Sequence, residues 1–287
     1  MPVPSSILLD PSGRLAVIYK GPVTVDQVLA DLELAPDDRG RRFVQAASLP
    51  GRSIDHPRVE HLLRMQGLSL RFQLARDLQA AGQLEMAAQQ LQAALEWIPD
   101  YAPGHNRLGW LLLQFGDYSR AVDQFRLALK LDPNSVEAWI NLGNVRLAQR
   151  QSDQAAAAYR SALDVDSDSA EAHHNLALAR LAQKRTDEAI AEFEQAIACK
   201  PDFEKAYLNL VDVLRGNGQH RQAIEQLERG LKCAPKSVAL HHRLGQLMAE
   251  QGQTASAVEH FNQVLKMEPN HRAARSDLGR VIARSRR

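Results

Sequence analysis

Apolar side chains recur along this chain at a fixed interval of 34 residues. Leu74, Leu108, Leu142, Leu176, Leu210, Leu244 and Leu278 form one series, and Ala87, Ala121, Ala155, Ala189, Ala223 and Ala257 a second. Leu91, Phe125, Tyr159, Phe193, Leu227 and Phe261 form a third in step with them. Pro99, Pro133, Pro201, Pro235 and Pro269 mark a fourth, with Ser167 in the one slot that lacks proline. Four series in register over six cycles indicate a stacked repeat, in which each unit buries its apolar face against its neighbours.

Each cycle reads as two amphipathic helices. Leu108, Leu112 and Phe115 share one stripe, and Ala121, Phe125, Ala128 and Leu129 form another after Gly116-Asp117. Separations of three and four residues place such groups on one helical face. Gly116 suits a helix end with positive φ, and Asp117 suits the next N-cap. Ser152-Asp153 and Thr186-Asp187 are assigned the same capping place. The alanines let paired helices approach closely, while the aromatic at the Phe125 place fills the space between hairpins. Proline then ends the second helix, because it cannot continue the hydrogen-bond ladder.

Trp139, Leu142, Gly143, Ala155, Tyr159 and Ala162, together with the period, resemble the tetratricopeptide-repeat signature over residues 68–271. The resemblance implies an all-α fold, a right-handed α-solenoid of helical hairpins whose first helices line a concave face. Arg71, His105, His173 and His241 depart from it, standing where the family has a large aromatic such as Trp139. Packing is the first explanation for these histidines. Leu227 and Gly230 replace the usual aromatic and alanine, which predicts looser packing in the fifth cycle. Residues 272–287 repeat the first-helix pattern once more with Leu278, Gly279 and Ile282. Arginines coat this stretch against a single acid, Asp277, and it reads as a polar capping helix in preference to a nucleic-acid contact.

The N-terminus does not repeat. Ile7-Leu8-Leu9 and Leu15-Ala16-Val17-Ile18-Tyr19 flank the turn signal Asp10-Pro11-Ser12-Gly13 and predict a β-hairpin. Thr24-Val25-Asp26-Gln27 matches a capping box, with Val28, Leu29, Leu32 and Leu34 at helical spacing behind it. This hairpin and helix, residues 1–34, resemble the last third of thioredoxin-like redox domains, with Pro4 at the place of that family's cis-proline. The Cys-x-x-Cys pair of that family does not occur here, so redox activity is not implied. The resemblance suggests the C-terminal part of a longer protein. A lone hairpin has open edges that invite pairing. Residues 35–54 read as a linker, and residues 55–67 as a leading helix or cap before the first repeat.

The charge balance changes little. A formal net charge of +1, with 24% charged and 45% hydrophobic residues, gives no general reason to expect nucleic acid or an anionic membrane. No apolar run approaches the roughly 18 residues of a membrane span, and the first segment is a poor signal peptide. A cytoplasmic location is the default; an upstream signal would make it periplasmic or secreted. Cys199 and Cys233 sit at matching places in successive repeats, about 10 Å apart on helix-packing grounds, beyond the roughly 7 Å limit of a disulfide. They are expected to be two partly buried thiols. No motif for a nucleophile, a phosphate loop or a metal site appears, so no catalytic residue, cofactor or metal is assigned.

The candidate site is therefore the groove. Arg107, Asn141, Asn175, Asn209 and Arg243 form a row at 34-residue intervals, with Asn144 and Lys205 beside it. Amides both donate and accept, so such a row can hold the backbone of an extended peptide. Trp110, Ile140, Leu178 and Leu208 are expected to add an apolar floor, and His174 and His242 to face the same side. Asn144, Asn175 and Lys205 resemble part of the carboxylate clamp of some relatives, but Ile140 and Asn209 interrupt it. The expected function is a non-enzymatic scaffold that binds a protein or peptide ligand, an extended peptide or a partner helix, in the concave groove. Two alternatives are self-association into a homodimer through the hairpin or array end, and a docking module of a larger redox protein.

Overall fold

The computed structural model describes residues 5–9, 15–20, 45–47 and 57–285, with side chains over residues 68–284. Three strands come first: β1 (Ser5–Leu9), β2 (Leu15–Lys20) and β3 (Gln45–Ala47). Thirteen helices follow among the described residues. They are α1 (Pro57–Ala80), α2 (Leu84–Leu95), α3 (Ala102–Gln114), α4 (Tyr118–Leu131), α5 (Val136–Ala148), α6 (Ser152–Val165) and α7 (Ala170–Ala182). The rest are α8 (Thr186–Cys199), α9 (Glu204–Gly216), α10 (His220–Cys233), α11 (Val238–Glu250), α12 (Thr254–Met267) and α13 (Arg272–Ser285). Six consecutive hairpins, α1–α2 to α11–α12, precede the single helix α13. The α-solenoid class expected from the 34-residue period is the observed one. Residues 57–67 and the first-repeat helix are one continuous helix of 24 residues.

The strands form one sheet of order β2-β1-β3, both pairings antiparallel. Ile7 pairs with Ile18 on one side and with Ala47 on the other. The hairpin read from sequence is thus present but not alone. β3 lies in the stretch read as linker and covers the edge of β1 that a two-stranded ribbon would leave open. Pro4 and residues 24–34, on which the thioredoxin-like resemblance depends, lie outside the described residues.

The helical chain divides into two compact units, residues 1–124 and 125–287. Leu91, Leu111 and Leu112 are buried in the first. The second holds the larger core, with Tyr159, Phe193, Tyr207, Leu210, Leu227 and Phe261 at 0–1% exposure. Its small residues explain how the rings fit. A Cβ on Gly143 would lie 2.4 Å from the Tyr159 ring, and one on Gly245 would lie 2.8 Å from that of Phe261. The fifth cycle, expected to be looser because of Leu227 and Gly230, keeps both residues buried. Val211 stands where the other cycles have glycine (Gly109, Gly143 and Gly245) or alanine (Ala75 and Ala177), so the smaller Leu227 meets a larger neighbour. Tyr207 and Leu240 close to 3.2 and 3.0 Å of the Gly230 Cβ place.

The turns inside the hairpins share one backbone conformation. Gly82, Gly116, Gly218 and Gly252 have φ of +72 to +79°, and Arg150 and Lys184 occupy the same place with φ of +61 and +62°. Asp117 caps α4 through the Arg120 amide at 3.2 Å. The expected Ser152 and Thr186 caps do not form: these residues open their helices, behind Gln151 and Arg185, which make no side-chain cap. Caps lie instead on first helices, where Ser135, Ser169 and Ser237 accept from Ala138, Ala172 and Leu240. A side chain held at positive φ costs roughly 1–2 kcal/mol. Arg150→Gly and Lys184→Gly are therefore each expected to raise the chemical-denaturation midpoint, by about 1 kcal/mol of stability.

Candidate functional site

The histidines in the aromatic slot are hydrogen-bonding brackets as much as packing residues. Trp139 Nε1 donates to the Pro133 carbonyl at 2.9 Å. His105, His173 and His241 make the same six-residue contact through Nε2, to the carbonyls of Pro99, Ser167 and Pro235 at 2.8, 3.1 and 3.2 Å. Arg275 does likewise with Pro269. The second nitrogen of each histidine reaches across the hairpin to the residue 19 further on, Gln124, Glu192 or His260, at 2.7–3.0 Å. Arg71 makes the equivalent bond to Gln90 at 3.1 Å and stacks over Trp97. What the slot requires is an N–H at the tip of a flat side chain, which Trp, His and Arg all offer.

The groove residues of the first unit are Arg107, which donates to Gln79 at 2.7 Å, and the half-buried Trp110. In the second unit, Ile140 and Asn141 are 5% and 7% exposed. Neither is presented to the groove as openly as the row suggested. Asn144 Oδ1 accepts from the Tyr159 hydroxyl at 2.7 Å and from Asn175 Nδ2 at 3.3 Å. His174 is buried, not facing the groove as expected. It packs between Phe193 and Phe203, donates from Nδ1 to Asn175 Oδ1 at 3.1 Å, and accepts at Nε2 from Asn209 at 2.9 Å. Leu178 and Leu208 are half-buried against the core, and Lys205 is exposed. His242 bonds Asp277 at 3.0 Å, and Arg243 bonds Asp212 at 3.2 Å.

Arg107, Asn175, Asn209 and Arg243 are thus each bonded to a residue of a neighbouring repeat. Sequence reading missed the partners Asp212, Gln246 and Asp277. A signal for them exists: complementary polar residues separated by 31 or 35 positions, as in Asn144–Asn175, Asp212–Arg243 and Gln246–Asp277, or His174–Asn209 and His242–Asp277. A separation of 34 marks equivalent places; one residue more or three fewer marks neighbours on facing helices. Of the thiols, both free, Cys199 is half-buried but Cys233 is exposed, which corrects the expectation for the latter.

The pKa values of two adjacent histidines are shifted in opposite directions. The hydrogen bond to Glu192 raises the pKa of His173, while burial lowers that of His174. The His173 contribution to stability is complete below the ordinary value of about 6.5 and is lost as pH rises through its elevated folded value. The His174 contribution is present above about 6.5 and is lost as pH falls through its depressed folded value. Ring-proton NMR titration is expected to place the His173 midpoint above, and the His174 midpoint below, that of a free histidine. Glu192→Gln should bring the His173 midpoint down while leaving His174 where it is.

A cavity of about 640 Å³ opens on the first-helix face, lined by Leu208, Val238, His242, Arg243 and Gln246 among others. Stacked helical hairpins with a polar-rimmed, apolar-floored face define the tetratricopeptide class, a protein-interaction scaffold. Within that class, the pattern of the cilia and flagella-associated protein 70 C-terminal domain matches residues 65–279, and the chain belongs to that family. No curated protein matches it. Two solved structures show the same fold, and a third is similar in part. The Pseudomonas aeruginosa pilF structure is 19% identical, covering 74% of this chain and 97% of that one at a TM-score of 0.58. The Cut9-Hcn1 structure is 15% identical, covering 76% of this chain and 42% of that one at 0.55. A crystal structure of MamA is 27% identical, covering 56% of this chain and 94% of that one at 0.49. Among the described residues no helix is long and apolar enough to cross a membrane.

Proposed function

We propose that the first-helix face of residues 125–287 holds an extended peptide of a partner protein. The observation that carries this reading is the pre-ordered polar network from Asn144 through Asn175 and His174 to Asn209. Bonds between repeats fix these amides before any ligand arrives, so little side-chain entropy is lost on binding. Each amide keeps capacity: Asn144 Nδ2 and Asn209 Oδ1 carry no bond among the described residues, and either can meet a peptide backbone group. Leu178 and Leu208 lie beside them as half-buried apolar contacts.

The test is a peptide selected against the full chain from a random displayed library. Asn175→Ala should weaken that peptide by about 1 kcal/mol, roughly fivefold in Kd. Because Asn175 also bonds Asn144, the variant is first shown to be folded by circular dichroism. Equal affinity for the folded variant would take the amide network out of the binding mechanism.

A further inference from the structure

A second cavity, of about 390 Å³, lies between α9, α11 and α13. Four arginines line it, Arg215, Arg243, Arg280 and Arg284, together with the apolar Phe261 and Val281. It shares Arg243 and Gln246 with the larger cavity, so the two are adjacent. A chain lying on Leu208 and Val238 therefore runs on toward the arginines.

The nearby acids do not fill this site. Glu250 is engaged by Arg215 at 3.0 Å and Asp212 by Arg243 at 3.2 Å. Asp277 is turned inward, with 15% of its side chain exposed, and accepts from Gln246 at 2.9 Å while bonding His242 at 3.0 Å. Arg280 lies 3.5 Å from that same carboxylate but stays 71% exposed. A guanidinium has five N–H donors. The first three arginines each use only one or two, and Arg284 has no ion pair among the described residues. Unused donors thus line a cavity whose resident carboxylates are already committed. Two of the four arginines come from α13, which gives the capping helix a part in recognition beyond covering the last repeat.

We infer that the groove selects acidic partners: an Asp or Glu side chain of an extended peptide seats in the α9–α11–α13 cavity and accepts from Arg243 and Arg284. An apolar neighbour of that residue packs on Leu208 and Val238. This rests on the peptide-groove reading and names the chemistry of the peptide. A nucleic-acid backbone fits less well. Its continuous line of phosphates would meet Asp212, Glu250 and Asp277 between the arginines, and an apolar floor does nothing for a phosphate.

The experiment uses the full chain and three labelled, amidated dodecapeptides of alternating sequence, Leu-Glu, Leu-Gln and Leu-Lys, with a single-stranded oligonucleotide of equal length. The Leu-Glu peptide is expected to bind about tenfold or more tighter than Leu-Gln, since charge-assisted hydrogen bonds are about twice as strong as neutral ones. Leu-Lys should bind weakest, and added salt should narrow the spread. Arg243→Gln with Arg284→Gln, shown to be folded by circular dichroism, should reduce the preference for Leu-Glu over Leu-Gln to about twofold or less. Equal binding of Leu-Glu and Leu-Gln would end the acid-selective reading and leave the groove standing. If none of the three peptides binds, the groove reading falls with it. An oligonucleotide that outcompetes Leu-Glu on the same arginines would assign the site to nucleic acid and overturn the inference.

Discussion

Alanine at Phe193 is expected to lower the stability of the unit formed by residues 125–287 by about 3–5 kcal/mol. The ring is fully buried and belongs to the core that joins α8 to Tyr207 and Leu210 of the next hairpin. It also forms one wall of the His174 site, with ring centroids 5.5 Å apart. Its small neighbours Ala177, Ala189 and Ala196 cannot reach into the space it would leave, so the cavity stays open and its full cost is felt. In a stack where each repeat touches only its neighbours, the loss falls on one interface. Chemical unfolding followed by circular dichroism should show the midpoint drop and the single transition broaden or split as the two sides uncouple. Phe115→Ala is the control, because Phe115 is 41% exposed and its removal should cost well under 1 kcal/mol. Equal shifts for the two variants would mean that Phe193 is not a core residue.

That contrast between Phe193 and Phe115 also shows which features could be read in the sequence. Burial recurs every 34 residues in two of the series, so Ala189 and Phe193 announce themselves through their equivalents. Phe115, read on the stripe of Leu108 and Leu112, is instead exposed, because it lies past the end of its helix. The polar brackets are harder to read because residue identity changes while the hydrogen bond stays. Trp139, His105 and Arg275 look unrelated as letters, yet each donates an N–H to a carbonyl six residues back. Arg150 and Lys184 were invisible for the opposite reason. Nothing in a basic side chain suggests positive φ, and only the glycines at equivalent places reveal it. The candidate site was legible as a row of positions but not as a bonded network. Its partners sit 31 or 35 residues away, off the period that drew attention to the row. β3 carries no pattern of its own, since Gln45-Ala46-Ala47 is too short and too bland to read as a strand without β1 beside it.

The fifth cycle suggests that the repeats balance volume across one contact instead of keeping each position constant, and this can be tested by transplanting its solution. Gly143→Val alone is expected to cost about 3 kcal/mol or more, at the upper end for an overpacked core. Even the first added carbon would lie 2.4 Å from the Tyr159 ring, which has no free space to retreat into at 0% exposure. Tyr159→Leu alone should also be costly, because it opens a cavity and strips the Asn144 oxygen of its 2.7 Å hydroxyl donor. The double variant reproduces the Val211 and Leu227 pair of the fifth cycle, where both side chains are fully buried. Its added methyl groups occupy the space the ring vacates. The two changes should then be non-additive by about 1–3 kcal/mol, as expected for residues that share one cavity. The stability lost with the Asn144 bond should remain lost, since no leucine restores a hydroxyl. Unfolding midpoints of the four proteins in one double-mutant cycle measure this directly. Strict additivity would show that Gly143 and Tyr159 do not compete for the same volume, and that Leu227 is tolerated in its own cycle for some other reason.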